Sequence, residues 1–110
     1  MKVYVAGPIS KGNIWKNIKM GIETSIELIR MGHAPYTPHL NFVQALFAPD
    51  IITWEQCLQL DEIWLAQCDC MFRIPGESKG ADREEAYARA HGIPVYYTLA
   101  ELEKGGGKCS

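Results

Sequence analysis

Short runs of β-forming residues alternate along this chain with longer segments of helical periodicity. The first run, Lys2–Ala6, predicts a buried strand. Isoleucines then recur every three or four residues over about 14–31, which predicts an amphipathic helix. Asn13 stands where a helix N-cap is expected, and Gly32 follows as a helix-ending glycine. A strand followed by a helix of this length is the repeating unit of a parallel α/β sheet.

The same alternation continues towards the C-terminus. Thr53 and Gln56 have the spacing of a capping box, which predicts a helix from there to about Gln67. Strands are predicted over 33–36, 68–74 and 93–97, and further helices over 41–47, 78–92 and 99–104. Strands that alternate with helices imply right-handed β-α-β units, so the pattern predicts an α/β fold with a parallel sheet.

Length and composition limit the classes of protein that this chain can belong to. With 110 residues there is room for one small domain, which we place at 1–104, with a flexible tail at 105–110. A hydrophobic content of 47% is enough for a core without metal or disulfide support. The net charge of -2 does not indicate a nucleic-acid or membrane partner. No apolar run approaches the ~20 residues that cross a bilayer, so we expect a soluble cytoplasmic protein.

Four cysteines, at positions 57, 68, 70 and 109, are expected to be reduced thiols. Cys68 and Cys70 would share one face of a strand with Cys57 nearby, as part of a metal site could. However, the chain has no C-x-x-C motif and no histidine at zinc-finger spacing, so structural thiols are the preferred interpretation.

The predicted strand ends carry the glycine, proline and polar residues expected of a ligand site, at 7–10, 37–39 and 75–80. Ligands of parallel α/β sheets bind beyond the carboxyl ends of the strands. The segment 76–80, with Ser78 and Lys79, precedes a helix start, where backbone N–H groups attract anions. A tight turn with a capping serine explains the same residues without a ligand.

Carboxylates crowd the start of the helix that follows. Asp82, Glu84 and Glu85 are favoured there by the helix dipole alone. Glu84 also lies on a stripe of small residues that would pack against the sheet, but Glu85 borders two of the same residues, so spacing does not separate the two glutamates. The stripe runs through Gly80, Ala81, Glu84, Ala88 and His91, and the glycine and the two alanines are its small residues.

Asp61 is a second acid in an unusual setting, because it lies within the otherwise apolar helix 58–65. A carboxyl beside Trp64 and Leu65 would be desolvated and its pKa raised, which suits a general acid. A surface acid at the edge of that face is the alternative. Two carboxylates over one pocket suggest cleavage of a glycosidic bond without a metal. His39 follows a predicted strand and could contact a ligand or cap the next segment.

Three ordered motifs resemble the nucleoside 2-deoxyribosyltransferase superfamily. They are Val3–Pro8, Asp61–Asp69, and Ser78-x-Gly80-Ala81-x-x-Glu84 with the later Gly92–Val95. Within the superfamily, they look most like the 2'-deoxynucleoside 5'-phosphate N-hydrolases and small phage and bacterial relatives. The resemblance implies a flavodoxin-like (Rossmann-like) three-layer α/β domain with a small parallel sheet of about four or five strands.

The resemblance also assigns roles. Glu84 falls at the nucleophile position and Asp61 at the general acid/base position, so Asp82 and Glu85 become helix-start acids with Arg83 as their partner. It implies cleavage or transfer at the N-glycosidic bond of a (deoxy)nucleoside or nucleoside 5'-monophosphate, in a homodimer or larger assembly whose neighbouring subunit completes the pocket, with no cofactor or metal. The alternative is a non-catalytic nucleotide-binding or sensor module. The expected substrate-binding residues are Gly7, Pro8, Ser10, His39, Ser78, Gly80 and Ala81.

Overall fold

Strands and helices alternate along the chain in the predicted order. The computed structural model describes residues 1–109, with side chains described through residue 105. In chain order the elements are β1 (Lys2–Ala6), α1 (Ile14–Arg30), β2 (Ala34–Tyr36), α2 (Pro38–Phe47), α3 (Trp54–Leu65), β3 (Cys70–Arg73), α4 (Lys79–Ala90), β4 (Val95–Tyr96) and α5 (Leu99–Cys109).

The strands form one parallel sheet in the order β2-β1-β3-β4, with four strands in the described part of the chain. β1 lies in the interior of the sheet and pairs with β2 on one side and with β3 on the other. The connection after β1 runs to β2 on one side, and the connection after β2 crosses β1 to reach β3 on the other side, which creates a switch point between β1 and β3 at the carboxyl edge. The predicted flavodoxin-like α/β class is confirmed.

Each face of the sheet buries a separate part of the core. Because side chains alternate along a strand, Val3 and Val5 face one side while Tyr4 and Ala6 face the other. The first side packs against α1 through Leu28 and against α5 through Leu102. The opposite side packs against α3 and α4, whose contributions are Leu65, Ala81 and Ala88. Among the described residues, no helix has both the length and the apolar character needed to cross a membrane.

Local capping signals set several helix ends where they were predicted. The Asn13 side chain accepts a hydrogen bond from the Lys16 backbone N–H, at 3.1 Å. Thr53 and Gln56 form the complete capping box at the start of α3. Gly32 has a φ of 89°, a left-handed conformation that glycine adopts without strain, directly after α1.

Two helix boundaries differ from the prediction by more than two residues. α2 begins at Pro38 and not near residue 41, because the φ of proline is already suited to the first helical position, with Thr37 as the N-cap. α5 continues as helix to Cys109, past the end predicted at Lys104. Gly105 brings this helix so close to Tyr96 that a Cβ there would lie 2.1 Å from the tyrosine oxygen. The first part of the tail predicted at 105–110 is therefore helical, and Ser110 lies outside the described residues.

Candidate active site

A cavity of about 440 Å³ opens at the carboxyl edge of the sheet, at the switch point between β1 and β3. The loop after β1 and the loop after β3 form two of its walls, and α2 and α3 close the remaining sides. Its large apolar lining residues are Phe42, Ile52, Trp54, Leu58 and Leu60. Asp61 and Glu84 line the same cavity, so the fold brings the two predicted carboxylates together.

Glu84 reaches the cavity from the second turn of α4 and is only 5% exposed. The hydroxyl of Tyr4, on the neighbouring β1, donates a hydrogen bond to Glu84 Oε2. Burial raises the pKa of Glu84 to about 8, and the donor from Tyr4 opposes that rise, whereas the nearby Asp61 charge adds to it. The cavity therefore holds a carboxyl that ionises close to neutral pH.

Asp61 reaches the cavity from α3 and is 7% exposed. Burial raises its pKa to about 7, as its position in an apolar helix predicted, and a hydrogen bond from Tyr36 opposes the rise. That bond is long, with 3.5 Å between the Tyr36 hydroxyl and Asp61 Oδ1. It therefore offsets only part of the cost of burying the carboxylate.

The two tyrosines are neighbours because β1 and β2 pair Tyr4 directly with Tyr36. Their rings stack with centroids 5.6 Å apart, and each hydroxyl serves a different carboxylate. Sequence reasoning missed both residues. The available signal was a hydroxyl-bearing residue within the apolar run Lys2–Ala6, since a buried tyrosine O–H usually needs a partner.

The structure separates the two glutamates that helical spacing left tied. Ala81, Glu84 and Ala88 form the buried stripe of α4, whereas His91 at its predicted end is exposed. Glu85 points away from the cavity, and its side chain lies 3.7 Å from the Arg73 guanidinium and 3.4 Å from that of Arg89.

The predicted partner of the helix-start acids is wrong. Arg83 pairs with α3, at 2.8 Å from Glu62 and 3.2 Å from Glu55. Asp82 instead pairs at 2.9 Å with Arg73, whose side chain is 8% exposed. Adjacent residues of a helix point in different directions, so Arg83 cannot face its neighbour Asp82 as a residue three or four positions away could.

Arg73 also fixes the loop that forms one wall of the cavity. Its guanidinium donates to the backbone carbonyl of Gly76 at 2.8 Å and to that of Ile74 at 3.2 Å. The Ser78 hydroxyl accepts from the Ala81 N–H at 3.1 Å, so it caps α4. Of the predicted substrate-binding residues, Gly7, Ser10, Ser78, Gly80 and Ala81 line the cavity.

The structure does not bring His39 or Pro8 to the cavity wall. His39 is 1% exposed, and its Nε2 lies 3.2 Å from the Pro8 carbonyl oxygen beneath the loop after β1. Burial lowers the pKa of this histidine. Its ring packs so closely on α1 that a Cβ at Gly21 would lie 2.6 Å from the imidazole. His39 thus supports the loop from below.

The described thiols lie in three different environments. Cys57 lines the cavity, Cys70 is buried in the core, and the Cys68 thiol lies 3.4 Å from the Trp64 carbonyl oxygen in the turn after α3. Among the side chains that the structure describes, through residue 105, no three from histidine, cysteine, aspartate or glutamate are grouped as metal ligands would be. The fourth cysteine has no described side chain.

Comparison with known proteins supports the fold independently. A family model described as a domain of unknown function, DUF7768, matches residues 1–98. No curated protein matches the chain in sequence. Among solved structures, a 2-deoxyribosyltransferase from the psychrotolerant bacterium Bacillus psychrosaccharolyticus is similar, with a TM-score of 0.67 and 21% identity over 86% of this chain and 69% of that chain. At this identity the likeness shows a common fold.

Proposed function

The chain belongs to the DUF7768 family, and we propose that it cleaves or transfers the N-glycosidic bond of a (deoxy)nucleoside or nucleoside 5'-monophosphate. The observation that carries this proposal is the placement of two buried carboxyls, Glu84 and Asp61, on one cavity at the switch point of the sheet. Most enzymes that break glycosidic bonds use two catalytic carboxyl groups with separate roles. The shared fold with a 2-deoxyribosyltransferase is consistent with this chemistry.

The proposed reaction is a double displacement. A carboxylate oxygen of Glu84 attacks C1' of the sugar, the C1'–N bond breaks, and its electron pair leaves with the base. Asp61 donates its proton to that base. In the second half, Asp61 removes a proton from water or from an incoming base, which then attacks C1' and releases Glu84.

Both carboxyls titrate near neutral pH, so the pair can hold one proton there, as the proposed reaction requires. Burial raises the pKa of Asp61 to about 7 and that of Glu84 to about 8, so the two groups titrate as a coupled pair. The productive form holds one proton, on Asp61, with Glu84 ionised. Because Glu84 has the higher pKa, this is the less populated of the two one-proton forms in the free protein. The Tyr4 hydroxyl favours that form, because it donates to the Glu84 carboxylate. The rate should therefore have a bell-shaped pH dependence with its maximum between these two values.

The proposed position of the substrate follows from the polarity of the cavity. The base would lie against the apolar side chains of Phe42 and Trp54, and the sugar would lie over the carboxyls. We place the sugar or its 5'-phosphate against the predicted binding residues of the two loops, where Lys11 and Lys79 also line the cavity. Lys11 lies 3.2 Å from Glu77, with both side chains largely exposed.

Base release is the decisive test. The protein is incubated with 2'-deoxynucleosides and their 5'-monophosphates, with and without a second base, and free base is followed by chromatography. Glu84→Gln should lower the rate by at least about 10³-fold, as loss of a nucleophile does, whereas Glu85→Gln should retain it. If a folded wild-type protein releases no base and holds a nucleotide unchanged for hours, the non-catalytic binding module is the correct interpretation. Equal rates in the two variants would refute the assigned nucleophile.

We also propose that the chain forms a homodimer or larger homo-oligomer. Large apolar side chains lie exposed near the cavity, including Phe47 at 87% and Ile51 at 75%. Apolar surface of this kind is often covered by another protein. Sedimentation velocity over a range of concentrations tests the proposal, and a monomer at all of them would refute it. A Phe47→Asp variant should weaken the assembly if this surface forms the contact.

A further inference from the structure

The Tyr36 hydroxyl lies between two polar side chains on different helices. It accepts a hydrogen bond from the Asn41 side-chain amide, on α2, and it donates one to Asp61 Oδ1, on α3. The donor and acceptor in each of these two hydrogen bonds are fixed by the groups involved. The Asn41 Nδ2 group can only donate, so the Tyr36 hydroxyl accepts from it and donates its own proton to the carboxylate. Asn41 lies on the cavity wall together with Asp61.

The ring of Tyr36 stacks on two other aromatic rings. It stacks on Tyr4 with centroids 5.6 Å apart and on Trp64 with centroids 5.5 Å apart. The pairing of β1 with β2 places the two tyrosines side by side. Two stacking contacts restrict the movement of the ring, so they favour one position of its hydroxyl before any substrate arrives.

We propose that Asn41 and Tyr36 are positioning residues for the Asp61 carboxyl, with Asn41 acting through the Tyr36 hydroxyl. The amide donor polarises the tyrosine O–H and makes it a better donor to the carboxylate. The two linked hydrogen bonds thereby orient the Asp61 carboxyl and favour its ionised form, which must accept a proton in the second half of the reaction. This inference rests on the proposed function only where it treats Asp61 as the general acid/base.

Other titratable groups also face Asp61 and must be considered in any test. Tyr4 on β1 and Glu84 on α4 interact with its charge, and Cys57 lies on its own helix. Glu84 affects the measurement most, because its own titration overlaps that of Asp61. The titration of Asp61 is therefore measured in the Glu84→Gln background, where only one carboxyl of the pair remains.

The experiment is a carbon-13 NMR titration of the Asp61 carboxyl in that background. Tyr36→Phe keeps the stacked ring but removes the hydroxyl, and it should raise the pKa of Asp61 by about half a unit, since a 3.5 Å contact gives less than a full charged hydrogen bond. Asn41→Leu should raise it in the same direction by a smaller amount. Gln59→Leu, an exposed amide on the same helix as Asp61, is the matched control and should leave the pKa unchanged.

The double variant Tyr36→Phe/Asn41→Leu tests whether Asn41 acts through the tyrosine. Once the hydroxyl is absent, loss of the amide should produce no further shift. An unchanged pKa in Asn41→Leu, or an equal shift with and without the hydroxyl, would overturn the inference. In the enzyme with Glu84 intact, the limb of the base-release profile that belongs to Asp61 should move with the NMR values.

The two proposals fail in different ways. If the wild-type protein releases no base but the pKa of Asp61 shifts as described in the Tyr36 and Asn41 variants, the proposed function is refuted and the positioning role is supported. If the protein releases base but neither Tyr36→Phe nor Asn41→Leu changes the pKa of Asp61, the proposed function is supported and the positioning role is refuted. A change of KM alone in Asn41→Leu, without any shift of the pKa, would make Asn41 a substrate contact and refute its positioning role.

Discussion

Replacing Glu84 with glutamine removes a buried ionisable group and keeps the shape of its side chain. In the unfolded chain the carboxyl titrates near its ordinary pKa of 4.5, whereas burial raises the folded value to about 8. Between these values the folded state binds a proton that the unfolded state does not, so the free energy of unfolding falls as the pH rises. The stability contribution of Glu84 is fully present below pH 4.5 and is lost as the pH rises through about 8.

The size of the effect follows from the shift. A change from 4.5 to about 8 corresponds to an upper bound of roughly 5 kcal/mol between the two pH limits. Relaxation around the buried charge lowers this value, and we expect about 2 kcal/mol or more. The glutamine adds a buried N–H donor at some cost, but that cost is the same at every pH and cancels in the comparison. In a domain of this size, 2 kcal/mol is a Tm difference of roughly 10 °C.

The assay is urea unfolding, followed by circular dichroism at pH 5 and pH 9. Relative to the wild type, Glu84→Gln should gain at least about 2 kcal/mol more at pH 9 than at pH 5. The control is Glu23→Gln, whose side chain is 56% exposed and lies 3.8 Å from Lys19 on α1. It should change stability by less than about 0.5 kcal/mol at both pH values. A constant difference between Glu84→Gln and the wild type from pH 5 to pH 9 would refute the reasoning.

Two further substitutions test the surroundings of the site. Tyr4→Phe removes the donor to Glu84, so the pKa of Glu84 should rise by about one unit. The basic limb of the base-release profile, which follows the group of higher pKa, should move to higher pH by the same amount, and an unchanged basic limb would exclude Tyr4 as the partner that favours ionisation. Gly21→Ala places a Cβ 2.6 Å from the His39 ring, and we expect a loss of about 1–3 kcal/mol in urea unfolding, which wild-type stability would contradict.

The parts of the fold that were predictable are those determined by neighbours in sequence. The capping box of Thr53 and Gln56 and the asparagine cap at Asn13 each join residues three apart, and both were confirmed. β1 was predicted at the bounds that the structure has. The start of α2 was wrong because Pro38 suits both the end of a strand and the first turn of a helix, and only packing distinguishes the two.

The site was predictable in part, for the same physical reason. The burial of Asp61 was one of the two alternatives that its apolar helix left open, and it could be considered at all because the neighbours on its face are close in sequence. The tyrosine donors were not predictable, because the contact between Tyr4 and Glu84 joins β1 to α4 and depends on the pairing of strands. Helical spacing could not separate Glu84 from Glu85 either, because the difference between them depends on Arg73, which lies on β3 with its guanidinium 3.7 Å from the Glu85 carboxylate.

The buried carboxyls of the cavity differ in their partners from the buried arginine outside it. Arg73, almost fully buried, is paired with Asp82 and bonded to backbone carbonyls, as a group kept for stability would be. In the described part of the chain, neither Glu84 nor Asp61 has an ion pair within 4.0 Å, and each receives one hydrogen bond from a tyrosine instead. A salt bridge would hold these carboxyls ionised, whereas a neutral donor leaves their pKa values near 7 and 8, where both protonation states are accessible. Groups tuned in this way cost stability, and that cost is explained if the carboxyls exchange protons with a bound substrate.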